Sequence, residues 1–239
     1  MDIAGRTALV TGANRGLGLH LARQLHQRGA TVYAAARNPA ALAVTDLADL
    51  PGVVPLALDI TDPASVAAAA AATDGQVSLL VNNAGSSTRT SLLNGDLDDV
   101  RTEMDTHYFG TLVVTRAFAP QLGAHQHSAV LNILSALSWL TVPVNGAYCA
   151  AKSAAWSLTN ALRLELAEQG TRVTALHVNY MNTEMTRRLT VPKADPADVA
   201  RTALDGLAAD ALEVLADEDT KQVQANLAGG VAALYPQLT

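Results

Sequence analysis

The sequence of 239 residues holds one cysteine, few aromatic residues and no long apolar run, and each scarcity removes a class of function. Cys149 alone closes no internal disulfide, and no spacing of cysteine and histidine suggests a zinc site. Aromatics are only 4% of the chain, too few for a base-stacking platform. Basic residues number 16 against 22 acidic ones, for a net charge of -6, and they form no stripe that would track phosphates, so nucleic acid is not an expected partner. No stretch reaches the ~18 uninterrupted apolar residues of a membrane span. The opening Met1-Asp2-Ile3-Ala4-Gly5-Arg6 lacks the apolar run of a signal peptide, so a cytoplasmic location without membrane contact is expected by default. Of the six histidines, His20, His26, His125 and His127 fall in polar stretches and are read as surface residues.

What is present is an apolar content of 49%, enough for a sizeable core. No linker or charge block divides the chain, and a single domain over residues 1–239 is expected. Residues 7–11 read as a short buried strand, 12–18 as a glycine turn and 17–27 as a helix stopped by Gly29. Strands follow at 31–35, 53–58, 77–81, 129–134 and 172–178, with a possible last one at 213–215. Between them lie an alanine-rich helix from about Pro63, one long helix over 97–122 and another over 146–169. Strands alternating with helices predict an α/β fold: a Rossmann-like, doubly wound parallel sheet in a three-layer α/β/α sandwich.

The turn Thr11-Gly12-Ala13-Asn14-Arg15-Gly16-Leu17-Gly18 sits between the first strand and the first helix. Glycine there permits a tight turn and close approach of the backbone to a pyrophosphate, and the helix start offers free N–H groups. Gly12, Asn14, Arg15, Gly16, Leu17 and Gly18 are therefore candidate cofactor ligands. The second strand ends in Ala35-Ala36-Arg37-Asn38, without the carboxylate that would hold a ribose 2′-hydroxyl. A guanidinium at Arg37, helped by Arg15, suits a 2′-phosphate instead, and NADP(H) is the expected cofactor. Tyr148-Cys149-Ala150-Ala151-Lys152 places a phenol and an ammonium one helical turn apart. The ammonium is expected to lower the phenol's pKa from ~10 into the range useful for acid–base catalysis.

Thr11-Gly12-x-x-x-Gly16-x-Gly18, Asp59, Asn82-Asn83-Ala84-Gly85, Ser135 and Tyr148-x-x-x-Lys152 stand in the order and at the spacings of one family. The chain resembles the short-chain dehydrogenase/reductases in their compact form. That resemblance implies that Asp59 and Ile60 flank the adenine, that Asn83, Ala84 and Gly85 line the ribose side, and that Ser135, thirteen residues before Tyr148, holds the substrate oxygen. Ser138 is a competitor for that role, with spacing favouring Ser135. Tyr148 would give a proton to a carbonyl as hydride arrives, and Lys152 would hold the nicotinamide ribose and tune Tyr148. The implied activity is reversible reduction of a ketone or aldehyde, with a small carbonyl or alcohol as substrate and a homodimer or homotetramer as the assembly.

Two departures from the family pattern stand out. His107 occupies the place where the family usually carries an asparagine that helps relay protons, and it either preserves that relay or merely fills space. Val178-Asn179 replaces a common Pro-Gly after the sixth strand, while Thr183 remains as a cofactor contact. Cys149 is read as a packing residue, Trp139 and Leu140 as walls of the substrate pocket, and Trp156 as buried between helices or subunits. The alternatives are imine or enone reduction, a non-redox cyclisation or elimination, and a cofactor-sensing binding protein. The joint presence of Ser135, Tyr148 and Lys152 disfavours the last. The segments 86–96, 136–146 and 182–193, which would shape the substrate site, are mostly apolar and slightly favour a neutral substrate.

Overall fold

The short apolar runs become strands because both of their faces are covered. In β1 (Thr7–Thr11) Ala8 and Val10 enter one hydrophobic core while Leu9, between them, enters another. The same alternation recurs in β4 (Leu79–Asn82), where Leu79 and Val81 face one way and Leu80 the other. With β2 (Thr31–Ala36), β3 (Val53–Ala57), β5 (Ala129–Ile133), β6 (Arg172–His177) and β7 (Glu213–Leu215), they form a parallel sheet in the order β3-β2-β1-β4-β5-β6-β7. That order counts the described residues, which in this computed structural model are 1–43 and 45–238.

Helix α1 (Gly16–Gln27) packs with α6 (Pro196–Ala208) on one face through Leu21, Leu25, Ala203 and Leu207. On the other face lie α2 (Pro63–Ala72), α4 (Thr111–Gly123) and α5 (Gly146–Glu165), which bury Val66, Phe118 and Leu162. The result is the expected three-layer, Rossmann-like sandwich. From β1 the chain winds outward to β2 and β3, then returns to place β4 on the other side. A crevice therefore opens at the carboxyl ends of β1 and β4, the switch point at which such sheets bind ligands.

Four helices start on an aspartate whose side chain accepts a backbone N–H: Asp62 before α2, Asp96 before α3 (Leu97–Met104), Asp195 before α6 and Asp217 before α7 (Glu218–Asn226). Helix α1 has no such cap. A short α8 (Gly230–Leu234) follows α7. Among the described residues no helix is long and apolar enough to cross a membrane, and no group of histidine, cysteine and carboxylate side chains is arranged to hold a metal.

The single helix expected over 97–122 is instead three pieces: α3, a π-helical turn over Asp105–Gly110, and α4. One extra residue per turn, invisible to a 3.6-residue periodicity, presses Gly110 so close to Ile60 that a methyl on it would lie 2.9 Å from Ile60 Cδ1. The helix expected over 146–169 stops at Glu165, ahead of Gly170 with φ of 78°. The fourth strand begins at Leu79, two residues after the expected start of 77, and runs one residue past the expected end through Asn82, which pairs with Asn132 of β5.

Candidate active site

A cavity of about 640 Å³ occupies the crevice, and every site residue expected from the sequence lies along it. Its outer half is made by the glycine turn. Gly12 and Gly16 have φ of 67° and 54°, the left-handed region that only glycine enters without strain. A methyl on Gly12 would lie 3.0 Å from Ala84 Cα, and one on Gly18 would be driven into the Gly12 carbonyl and the Asn83 amide. Asn83 is committed to this turn: its side-chain amide donates to the carbonyls of Thr11 (2.8 Å) and Gly12 (3.2 Å). Its main-chain N–H and that of Ala84 both donate to Thr11 Oγ1. The start of α1, uncapped by any side chain, borders the cavity through Gly16, Leu17 and Gly18. A glycine cradle beneath an uncapped helix start fits a pyrophosphate.

Beside it a smaller hollow of about 240 Å³ is lined by Asn14, Arg15, Ala36, Arg37, Asn38 and Ala41. Arg37 has no ion-pair partner among the described residues. Its charge does reach Asp59. Burial opposes that carboxylate, but hydrogen bonds from Thr61 and the attraction of Arg37 hold its pKa below the ordinary value. Arg15 lines the same hollow as Arg37 and is also ion-paired. It crosses the mouth of the cavity to Glu184, with 2.8 Å between Nη1 and Oε2. Thr183, one residue earlier, lies against the glycine turn, its Cγ2 3.5 Å from where a methyl on Gly16 would sit.

The inner half belongs to the ends of β5 and the start of α5. Ser135 Oγ accepts the Leu137 N–H at 3.1 Å, and Ser138 Oγ accepts the Ser135 N–H at 3.3 Å. Ser135 lines the cavity and Ser138 does not. Tyr148 is half-buried on the cavity wall, and desolvation there raises its pKa above the ordinary value, with the Ser135 hydroxyl acting in the opposite sense. Lys152 is buried and its pKa falls to about 8, against the pull of Glu103. Its Nζ donates to the Ile133 carbonyl at 2.8 Å and stands 5.7 Å from the centre of the Tyr148 ring. The expected lowering of the phenol by the ammonium is not what prevails here: desolvation dominates and the Tyr148 pKa is raised.

His107 projects from the π-helical turn and meets Tyr148 edge-on, with ring centres 5.1 Å apart. Its Nε2 lies 2.9 Å from the Ser86 carbonyl and 3.2 Å from Oε2 of Glu103. Burial, then the charge of Lys152, lowers the His107 pKa, while Glu103 and the Ser86 carbonyl oppose the fall. Glu103 is wholly buried, and its other oxygen accepts the Thr88 N–H. Burial works against its charge, yet the hydrogen bonds from His107 and Thr88 prevail and its pKa is lowered. Nothing in the sequence singles Glu103 out, since residues 96–105 hold five acids. Its only signal is that it stands one helical turn before His107.

Behind Ser135 lies a second residue that sequence reasoning does not mark. His177 is fully buried, with Nδ1 3.3 Å from the Ser135 carbonyl and Nε2 3.6 Å from Glu213. Trp139 stacks on it at 3.9 Å between ring centres, so Trp139 is a core residue here and not a wall of the substrate pocket; Leu140 does not line the cavity either. Trp156 meets Trp139 edge-on and donates to Glu213, packing within the chain. Cys149 is buried and its thiol pKa is pushed up by that burial, in keeping with a packing role. The stiffness that Pro-Gly would give after β6 comes instead from hydrogen bonds. The Asn179 N–H donates to Asp217 (2.8 Å) and its side chain to Asp219 (3.0 Å).

Residues 6–193 match the family described as short chain dehydrogenase. The chain is 30% identical over 237 residues to a dehydrogenase/reductase SDR family protein 7-like of Anopheles gambiae, covering 88% of this chain and 74% of that one. It is 32% identical over 187 residues to the NADPH-dependent 1-acyldihydroxyacetone phosphate reductase of Schizosaccharomyces pombe, covering 76% of this chain but only 62% of that protein. Several curated relatives are matched over only about three fifths of their length. A crystal structure of a short chain dehydrogenase from Burkholderia cenocepacia J2315 in complex with NADP superposes with a TM-score of 0.92. The two share 36% identity and cover 100% and 99% of each other.

Proposed function

Because the chain belongs to the short-chain dehydrogenase/reductase family, we propose that it is an NADP(H)-dependent reductase of ketones or aldehydes, running in reverse on the alcohol. The observation that carries this reading is the convergence of Ser135, Tyr148 and Lys152 at the inner end of the same cavity whose outer end holds the glycine turn and Arg37. The glycine turn and the start of α1 hold the pyrophosphate, and the hollow at Arg37 takes the 2′-phosphate. The NADP held by the Burkholderia structure and the NADPH in the name of the Schizosaccharomyces relative support that choice. When bound, the reduced nicotinamide supplies the hydride.

Tyr148 gives its phenolic proton to the carbonyl oxygen, a role that suits a group whose pKa is raised and which is fully protonated at neutral pH. Ser135 hydrogen-bonds the same oxygen and stabilises the charge that gathers on it. Lys152 holds the cofactor ribose and steadies the phenolate that Tyr148 leaves behind. His107 returns a proton to that phenolate in place of the family's asparagine. The single sheet supports one domain for both cofactor and substrate. Exposed Leu164 on α5 (77%) and Phe109 on the π-helical turn (50%) support pairing of copies through these helices into a homodimer or homotetramer.

The test is NADPH oxidation against a panel of aldehydes, ketones, quinones and imines, with Tyr148→Phe beside the wild type. The expected result is turnover of an aldehyde or ketone that drops by about 10²–10⁴-fold in the variant. Turnover surviving in Tyr148→Phe overturns the assignment of the acid, and imine turnover alone overturns the substrate class.

A further inference from the structure

A buried carboxylate beside a catalytic histidine has a cost that only a paired charge offsets. Glu103 is such a group: no part of it reaches solvent, Oε1 is tied to the Thr88 N–H, and the group that faces Oε2 is His107 Nε2, 3.2 Å away. The His107 nitrogen faces two oxygens, the Ser86 carbonyl and Glu103 Oε2, and neither brings a proton. Nε2 must therefore carry the hydrogen, which leaves Nδ1 as the bare acceptor. The ring borders the cavity and meets Tyr148. Gly85 secures this placement, because a methyl there would lie 2.8 Å from His107 Cε1.

We propose that Glu103 is a positioning residue that fixes the Nε2–H tautomer of His107 and stabilises the charge His107 gains when Nδ1 takes a proton. The proposal rests on His107 serving the Tyr148 site as described above. The protons balance: Tyr148 loses one to the substrate oxygen, imidazolium His107 gives one up from Nδ1 to restore the phenol, and Nδ1 recovers one from solvent. Glu103 stays ionised throughout, orienting the ring as the buried aspartate of a serine-protease triad orients its histidine. The titratable groups facing His107 are Glu103 from α3 and Tyr148 and Lys152 from α5; the segment after β4 brings the Ser86 carbonyl, with Arg89 on the same cavity wall. Burial, then the Lys152 charge, disfavours a proton on His107, while Glu103 and the Ser86 carbonyl favour it, and Glu103 is the only one of these two that carries a charge.

The experiment is a pH titration of ¹⁵N-labelled protein, wild type and Glu103→Gln, followed at the His107 ring nitrogens, together with kcat–pH profiles. Glu103→Gln preserves shape and the acceptor for Thr88 while removing the charge. The expected result is an Nε2–H tautomer in the wild type and a His107 titration displaced downward by at least about one pH unit in the variant. The kcat of reduction at pH 7 should fall about tenfold with KM unchanged, and Glu103→Asp should recover part of it. In a His107→Asn background Glu103→Gln should leave the kcat–pH profile where it was. A wild-type Nδ1–H tautomer overturns the proposal even if no variant folds, and so does an unmoved His107 titration in folded Glu103→Gln. If no carbonyl is reduced, the proposed function fails, while the ring titration still decides the role of Glu103.

Discussion

At the glycine-turn end of the cavity the binding groups are main-chain atoms and one guanidinium without an ion-pair partner among the described residues, whereas at the Tyr148 end they are side chains, half-buried Tyr148 beside buried Lys152 and His107. The first end needs only shape: glycines at φ of 67° and 54°, an uncapped helix start, and Arg37 beside a hollow. The second needs a balance of charges, with Tyr148 raised, Lys152 lowered to about 8 and His107 lowered against the pull of Glu103. Apart from Lys152, which serves both the cofactor ribose and Tyr148, binding and chemistry should therefore fail separately when each end is altered. A change at the turn should leave pH behaviour alone, and a change among the buried charges should leave cofactor selection alone.

The largest effect on the binding end is expected from Gly18→Ala, whose methyl meets the Gly12 carbonyl, a main-chain atom that cannot swing aside. Overpacking of this kind costs about 1–3 kcal/mol, and NADPH affinity measured by fluorescence titration should fall about 10–100-fold, with the pH profile of residual turnover unchanged. A profile that moves with it would break the separation. Next, Arg37→Asp should lower the ratio of NADPH to NADH efficiency about 10–100-fold, the worth of one strong charge-assisted contact; an unchanged ratio removes Arg37 from the 2′-phosphate site. The smallest effect lies behind the chemical end. His177 has its pKa lowered to about 4 by burial, with the Ser135 carbonyl and Glu213 opposing the fall. The native state thus refuses a proton that the unfolded chain accepts near pH ~6.5. The stability from this group is whole above about pH 6.5 and drains as pH falls toward 4, by about 2 kcal/mol at pH ~5. Melting curves of His177→Gln should lack that part of the acid slope, and a slope identical to the wild type's would show that His177 does not carry it.

The same division explains what could be read from residues alone. The strands, the parallel sheet and the glycine turn are legible because they rest on local rules: apolar runs alternating with helical stretches, and glycines where the chain must turn. The positions of Ser135, Tyr148 and Lys152 follow from motif spacing. The burial of Glu103 is not legible, since it is one acid among several in a polar stretch and only the π-helical turn aims His107 toward it. Trp139 illustrates the opposite error: its nearness to Ser135 in sequence suggests the pocket wall, yet the short turn over Ala136–Ser138 delivers it to His177 on the far side. Arg15 lies beside Arg37 as its loop suggests, and its pairing with Glu184, 169 residues away, is a contact that local rules do not reveal.

The central claim, that one cavity separates holding the cofactor from moving the proton, is tested most directly by measuring NADPH binding and turnover in the same preparation of Tyr148→Phe. The expected result is affinity within about tenfold of wild type, the loss of at most one hydrogen bond, beside a kcat reduced about 10²–10⁴-fold. Affinity and turnover falling together, or neither falling, would contradict it.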